Sequence, residues 1–399
     1  MKLVVLAAVL AGALCLPGAP AFQSDHWGAN LTTPELIEAF GYPAEVHTVT
    51  TEDGYILELH RIPFGRSGPS PHADDRPPVY LQHGLLGSSA DWVMNQPDEA
   101  LALILVDAGY DVWLGNARGN TYSRNHVDLS PSDIHFWEFS WDEIALLDLP
   151  AAIDYILATT GVSSLRYVGF SMGTTTYFAM MSKKPEYNEK VKVMAALAPV
   201  AYLANIESPI KELAPYSNEM DMIMTLLGVG EFMPSSKVMD YFAEQYCNVE
   251  DATAQLCYNI LFVLCGPDPT ELDKEWLPSI LAHTPAGTSV HTVNHYGQLV
   301  NSGNFTMYNY GVLGNMKHYG RVTPPLYNIS HVTSPVGLYW SDNDWLADST
   351  DVTRLEADLP NVVVSHEVEF PDFDHLDFTW AIHANEYVYQ YVLDLLSQY

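Results

Sequence analysis

The chain has 399 residues, 48% of them hydrophobic and 12% aromatic, enough apolar material for a large buried core. Its 17 Lys+Arg face 49 Asp+Glu, a formal net charge of −32. So acidic a surface repels phosphates, which excludes nucleic acid and anionic membranes as expected partners and reads as a device for solubility.

Lys2, the apolar run Leu3 to Leu16 and the small residues ending Ala19-Pro20-Ala21 have the layout of a secretory signal peptide over residues 1–21. The mature chain is then expected from near Phe22. No later segment approaches ~18 uninterrupted apolar residues, so no transmembrane span is expected. Three sequons fit this route as surface glycan sites, at Asn30, Asn304 and Asn328. Secretion to extracellular fluid or a gut lumen is the expected destination, with the lysosome as the alternative.

Thr33-Pro34-Glu35-Leu36 predicts a helix with Thr33 as N-cap and Pro34 at its first position, ending at Gly41. Val46 to Val49 and Tyr55 to Ile62 flank Glu52-Asp53-Gly54, a strong hairpin signal. A Gly/Pro/Ser-rich loop spans Gly65 to Pro78. Strands and helices then alternate: Val79-Tyr80-Leu81, Ala100 to Ala108, Tyr110 to Trp113, and a long amphipathic stretch from Trp141 to Thr159. The run Leu165-Arg166-Tyr167-Val168 predicts a strand, and Thr174 to Met181 the start of a helix. Lys192 to Ala198 predicts the next strand. This rhythm argues for a mostly parallel sheet covered by helices.

Near Ala204 the rhythm breaks. The next ~120 residues are rich in Met, Pro and Tyr, with helical pieces and no clear strands. It resumes at Val336 to Trp340 and Val362 to Val364, and a helix from Asn385 to Ser397 closes the chain. The expected fold class is α/β: a mostly parallel sheet in two parts, 22–203 and 331–399, with an inserted, mainly helical cap or lid over 204–330. Within that insertion, Met222 to Leu227 is apolar enough for an interfacial surface, although buried core is the commoner fate of such a run. The cysteines beyond the leader are Cys247, Cys257 and Cys265, so one pair plus one free thiol is the simplest arithmetic. Cys247 and Cys257 bracket a polar stretch and are the favoured disulfide. Spacing alone leaves the connectivity open.

Between the strand ending at Val168 and the helix from Thr174 stands Gly169-Phe170-Ser171-Met172-Gly173. A Gly-x-Ser-x-Gly placed so is a nucleophile elbow, with a serine hydroxyl exposed on a strained turn and glycines where side chains would collide. Ser171 is the candidate nucleophile. A serine needs a base, and the base needs an acid, in the chain order Ser, Asp, His after late strands. His375 lies in a turn after the final strand and is the candidate base. Asp342, Asp344 and Asp348 all follow the strand Val336 to Trp340; Asp344 ranks first, with Asp348 as the alternative. Two backbone N–H groups should hold the oxyanion, at ~3 kcal/mol each. Met172 supplies one, and Leu85, in His83-Gly84-Leu85-Leu86-Gly87, the other, with His83 bracing the loop. No metal site, phosphate loop or cofactor is expected.

These residues resemble the acid lipase family of gastric and lysosomal acid lipase, insect-type members included. The resemblance runs from Thr33 to the C-terminus through Glu52 to Leu57, His83 to Leu86, Asp111 to Gly119, Phe136 to Glu143, Val300 to Gly303, Asn343 to Asp348 and His375 to Phe378. It implies an α/β-hydrolase core with a cap and lid, acting on neutral lipid esters at an oil–water interface. It implies the triad Ser171, Asp344 and His375, a Cys247–Cys257 disulfide and a free Cys265. The expected chemistry is lipase action on triacylglycerols through an acyl-enzyme, by a monomer. The alternatives are a steryl esterase or general carboxylesterase and, from another class, a catalytically silent lipid-binding protein. One departure is local: the family elbow reads Gly-His-Ser-Gln-Gly, whereas Phe170 and Met172 stand here.

Overall fold

The computed structural model describes residues 27–68, 76–212, 214–226, 228–232, 265–266, 270–273 and 275–399. The signal-like leader and the Cys247 and Cys257 positions lie outside the described residues.

Most of the predicted elements form. Helix α1 (Thr33–Ala39) starts one residue earlier than expected, because Thr32 rather than Thr33 is its cap: Thr32 and Glu35 satisfy each other's backbone N–H groups reciprocally. Strands β1 (Glu45–Thr50) and β2 (Tyr55–Ile62) pair antiparallel around a turn whose Gly54 has φ 98°. Strand β3 (Pro78–Gln82), helix α2 (Leu101–Asp107), strand β4 (Asp111–Leu114) and the short β5 (Asn125–His126) follow. A continuous helical stretch opens at Trp141–Glu143, widens into a π-helical turn over Ile144–Asp148 and continues as α3 (Leu149–Thr160). Then come β6 (Leu165–Phe170), α4 (Met172–Lys183) and β7 (Val191–Leu197).

The sheet order is β1-β2-β4-β3-β6-β7-β10-β11, with β5 pairing β2, where β10 is Val336–Trp340 and β11 is Val362–Glu367. From β4 to β11 every neighbouring pair is parallel. Burial explains the strand sequences. Strands β3, β4 and β6 are buried at every residue, so both faces read apolar, whereas the edge strand β11 alternates between half-buried and exposed. Helices pack on the sheet to form one large core that includes Trp92, Trp113, Trp141, Tyr167, Phe178 and Tyr389.

Between β7 and β10 the chain leaves the sheet. Helices α5 (Ser217–Leu226), α6 (Leu277–His283), α7 (Val290–Ser302) and α8 (Gly311–Tyr319) occupy this excursion. Contrary to the expectation of no strands there, β8 (Glu231–Phe232) and β9 (Thr288–Ser289) form a two-stranded antiparallel ribbon. The apolar run at Met222 is split between the two expectations: Met224 is buried, whereas Met222, Ile223 and Leu226 are exposed, Leu226 by 79%. After β10, helix α9 (Ser349–Asp358) leads to β11. Helix α10 (Gln390–Ser397) closes the chain after a π-helical turn at Asn385–Tyr389.

Candidate active site

The elbow is built by backbone strain and missing side chains. β6 ends at Phe170, Ser171 takes φ 51° and ψ −112°, and α4 begins at Met172. Such a left-handed φ is costly for a serine and persists only where surrounding structure enforces it. Here the Ser171 N–H donates to the Leu197 carbonyl of the next strand at 3.0 Å, and its own carbonyl accepts from the Thr174 N–H and hydroxyl. A Cβ at Gly169 would lie 2.8 Å from the Gly173 backbone, and one at Gly173 would overlap the Gln82 carbonyl of β3. Both glycines are therefore steric requirements of the turn.

Three sequence-predicted residues meet at the sheet's C-terminal end. His375 Nε2 is 2.8 Å from Ser171 Oγ, and His375 Nδ1 is 2.8 Å from Asp344 Oδ2. Asp344 Oδ1 also accepts the N–H groups of Leu346 at 2.9 Å and Ala347 at 2.7 Å. The carboxylate is thus fixed in place, and as an acceptor it fixes the proton on Nδ1, leaving Nε2 free to accept from Ser171. Asp344 and His375 are buried, while Ser171 is partly accessible. The other two aspartates stand elsewhere: Asp342 is exposed, and Asp348 caps α9 by accepting the Thr350 N–H.

Of the predicted oxyanion donors, Met172 follows the serine directly and Leu85 lies in a loop against the elbow. Met172 N–H opens α4 and so has no acceptor within the helix. The loop carrying Leu85 rests directly on the elbow, since a Cβ at Gly84 would come within 2.9 Å of the Phe170 ring and 3.2 Å of Ser171 Cβ. His83 braces that loop. Its Nε2 accepts the Ala117 N–H at 3.1 Å, so its Nδ1 carries the hydrogen and donates to the Gly84 carbonyl at 2.7 Å. Burial lowers its pKa to about 4, which keeps it neutral and able to accept.

Several supports were not identified from sequence. Leu86 has φ 63°, and its carbonyl accepts the Ala286 N–H from the excursion. Arg118 is fully buried, paired with Asp148 at 2.6 Å and Asp53 at 2.6 Å, and it lies over the Tyr55 ring. The π-helical turn holds Asp148, and the hairpin holds Asp53. This cluster locks the Gly115 to Gly119 stretch from which Ala117 holds His83. Cys265 is free and buried, and its thiol pKa is pushed well up by burial and then by the nearby carboxylates Asp374, Asp344 and Asp377. The sequons Asn30, Asn304 and Asn328 are exposed.

This geometry agrees with comparisons to known proteins. Residues 33–96 match the model of a partial α/β-hydrolase lipase region, and residues 77–228 match that of the α/β-hydrolase fold. The chain is 44% identical over 371 residues to lipase lipl-1 of Caenorhabditis elegans, covering 92% of this chain and 91% of that one. It is 44% identical over 366 residues to lipase 3 of Drosophila melanogaster, covering 92% of each. To gastric triacylglycerol lipase of Mus musculus it is 42% identical over 371 residues, covering 93% of this chain and 92% of that one. In fold, it resembles a putative lipase from Sulfolobus solfataricus, with a TM-score of 0.58 at 15% identity, over 96% of this chain and 98% of that one. The chain belongs to the acid lipase family of α/β-hydrolases, the family of gastric lipase, whose members are carboxylic ester hydrolases.

Proposed function

We propose that this protein is a secreted lipase that hydrolyses triacylglycerols through an acyl-enzyme on Ser171. The observation that carries the proposal is the unbroken hydrogen-bonded chain Ser171–His375–Asp344 on a strained elbow. Ser171 Oγ attacks the ester carbonyl carbon while His375 Nε2 takes its proton, and Asp344 stabilises the resulting imidazolium. The N–H groups of Met172 and Leu85 hold the oxyanion. Collapse expels the glyceride alcohol, which receives the proton from His375. Water, deprotonated by the same histidine, then attacks the acyl-enzyme, and the fatty acid leaves as Ser171 recovers its proton.

The excursion between β7 and β10 acts in this reading as a cap that shields the acyl chain. Exposed Met222, Ile223 and Leu226 on α5 supply part of the surface that meets the lipid phase. The signal-like leader and the three exposed sequons support passage through the secretory route as a glycoprotein; in this reading Cys247 and Cys257 pair there and the enzyme acts as a monomer. No helix among the described residues is long and apolar enough to cross a membrane.

Fatty-acid release from emulsified long-chain triacylglycerol, beside a soluble short-chain ester, tests the proposal. The wild type should turn over the emulsion, and Ser171→Ala should lose at least about 10⁴-fold in kcat. Turnover of the soluble ester alone would make the enzyme an esterase. Emulsion activity surviving in Ser171→Ala would sink the mechanism.

A further inference from the structure

The excursion returns to the catalytic end at Cys265–Gly266. The Cys265 carbonyl accepts two backbone N–H groups, from Trp345 at 3.2 Å and from His375 at 3.5 Å. Trp345 follows Asp344 directly, and His375 is the base, so one carbonyl touches the acid loop and the base loop together. Gly266 fills the notch between them. Its φ is +129°, and a Cβ there would overlap the Asn343 carbonyl and lie 2.9 Å from Asp374 Cβ. Asn343 and Asp374 are the residues just before the acid and the base. Downstream, Leu272 bridges Ala381, the Ile382 N–H donates to the Glu271 carbonyl at 2.9 Å, and the Glu271 carboxylate meets His383 at 3.0 Å.

The two loops leave neighbouring parallel strands and touch on their own at Ser341–Phe373 and Asn343–Asp372. Those contacts lie on the strand side. Those from Cys265–Gly266 bear on the very residues that set the Asp344–His375 separation. We propose that Cys265–Gly266 is a positioning strap: a piece of the excursion that fixes the distance between acid and base, so that the triad is aligned only while the strap is seated. The proposal rests on the triad reading above. It concerns the backbone and the missing side chain at 266 and assigns the thiol no role.

Gly266→Ala tests it, with Gly320→Ala as control. Gly320 also has a positive φ, but at 67° it lies in the left-handed region, where Ala is strained less than at +129°, and nothing lies within 4 Å of its would-be Cβ, so the control replaces a positive-φ glycine without wedging the loops. On a soluble ester, Gly266→Ala should lower kcat by about 10–100-fold at unchanged KM, since displacements of ~1 Å cost this much. The acid limb of its pH–rate profile should move to lower pH, because an imidazolium held less closely by Asp344 forms less readily. Gly320→Ala should match wild type in both. A loss of folded protein would scale kcat without moving the acid limb. If Gly266→Ala does not fold, Glu271→Ala loosens the downstream anchor without a clash and should shift both readouts in the same direction. Wild-type kcat and acid limb in a folded strap variant, beside an inactive Ser171→Ala, would overturn the strap alone. An active Ser171→Ala would overturn the triad and the strap with it.

Discussion

Phe170 is the elbow residue whose side chain lies against His375. Its ring centroid lies 5.1 Å from that of His375, tilted by 40°, so the elbow sets an apolar ring beside that imidazole. A histidine there would charge in acid and, at that distance, oppose protonation of His375. Phe170→His should therefore extend the acid limb of kcat/KM to lower pH. An unmoved limb in folded variant protein would show that position 170 does not tune the base. Met172 is less consequential, because the contribution proposed for it is a backbone N–H that any side chain retains. At this scale the meeting of Ser171 and His375 was legible, since Gly-x-Ser-x-Gly and a post-strand histidine are fixed in spacing. The acid was less sharply legible: position after the strand ranked Asp344 first but left Asp348 open, and the contacts separate the three aspartates. Asp344 accepts two backbone N–H groups and faces His375, Asp348 caps a helix, and Asp342 is exposed.

Among the elements, the helical stretch opening at Trp141 carries the most unusual load. Asp142, in its first turn, is buried and accepts the Tyr308 N–H at 2.8 Å and the Tyr327 hydroxyl, both from the excursion. Trp141 stacks on His295 of α7, with centroids 3.8 Å apart. Residues Trp276 to Ser341 contain no Asp or Glu, so Tyr308 and Tyr327 draw on carboxylates outside that stretch: Asp142 of the core and, for the Tyr308 hydroxyl, Asp221 of α5. Burial, then the Glu143 charge, raises the Asp142 pKa to about 8, above its unfolded value of 3.8. A raised folded pKa means that the native state holds the proton more tightly. The contribution is fully present below the unfolded value and is lost as pH rises through the folded one. Asp142→Asn keeps an acceptor for Tyr308 without the ionisation. The Tm of wild type relative to Asp142→Asn should therefore fall by a few degrees between pH 4 and pH 8. A constant difference across that range, followed by calorimetry, would refute the assignment. The principal strands and helices were readable because their periodicity or continuous burial spans several residues. The ribbon Glu231–Phe232 with Thr288–Ser289 was not, since two-residue strands have no period. Nor was the π-helical turn, which reads as ordinary helix while it holds Asp148 for Arg118.

For the whole molecule, the governing quantity is the excess of 49 carboxylates over 17 Lys+Arg. Several cations are already engaged internally: Arg118 with Asp53 and Asp148, Arg61 with Asp111 and Glu45, Lys190 with Asp154 and Arg124 with Glu231. These pairs join separate segments, as when Arg124 ties the core to the excursion, but they leave a large surplus of negative charge. That surplus sits on surfaces other than 276–341, where exposed Lys317 and Arg321 face solvent without acidic neighbours in sequence. Self-repulsion of this kind opposes the compact state, and salt screens it over a Debye length of about 10 Å at 0.1 M. At pH 7, raising ionic strength from about 0.01 to 0.15 M should therefore raise Tm, since the screened interaction is on balance repulsive. Near pH 4.5, where the net charge passes through zero, the same salt should change Tm little or lower it slightly by screening the ion pairs that remain. Thermal scans at both pH values, with a neutral osmolyte as control for non-ionic effects, distinguish the two regimes. A Tm that falls with salt at pH 7 would mean that the pairs, and not the surplus, dominate the electrostatics of the fold.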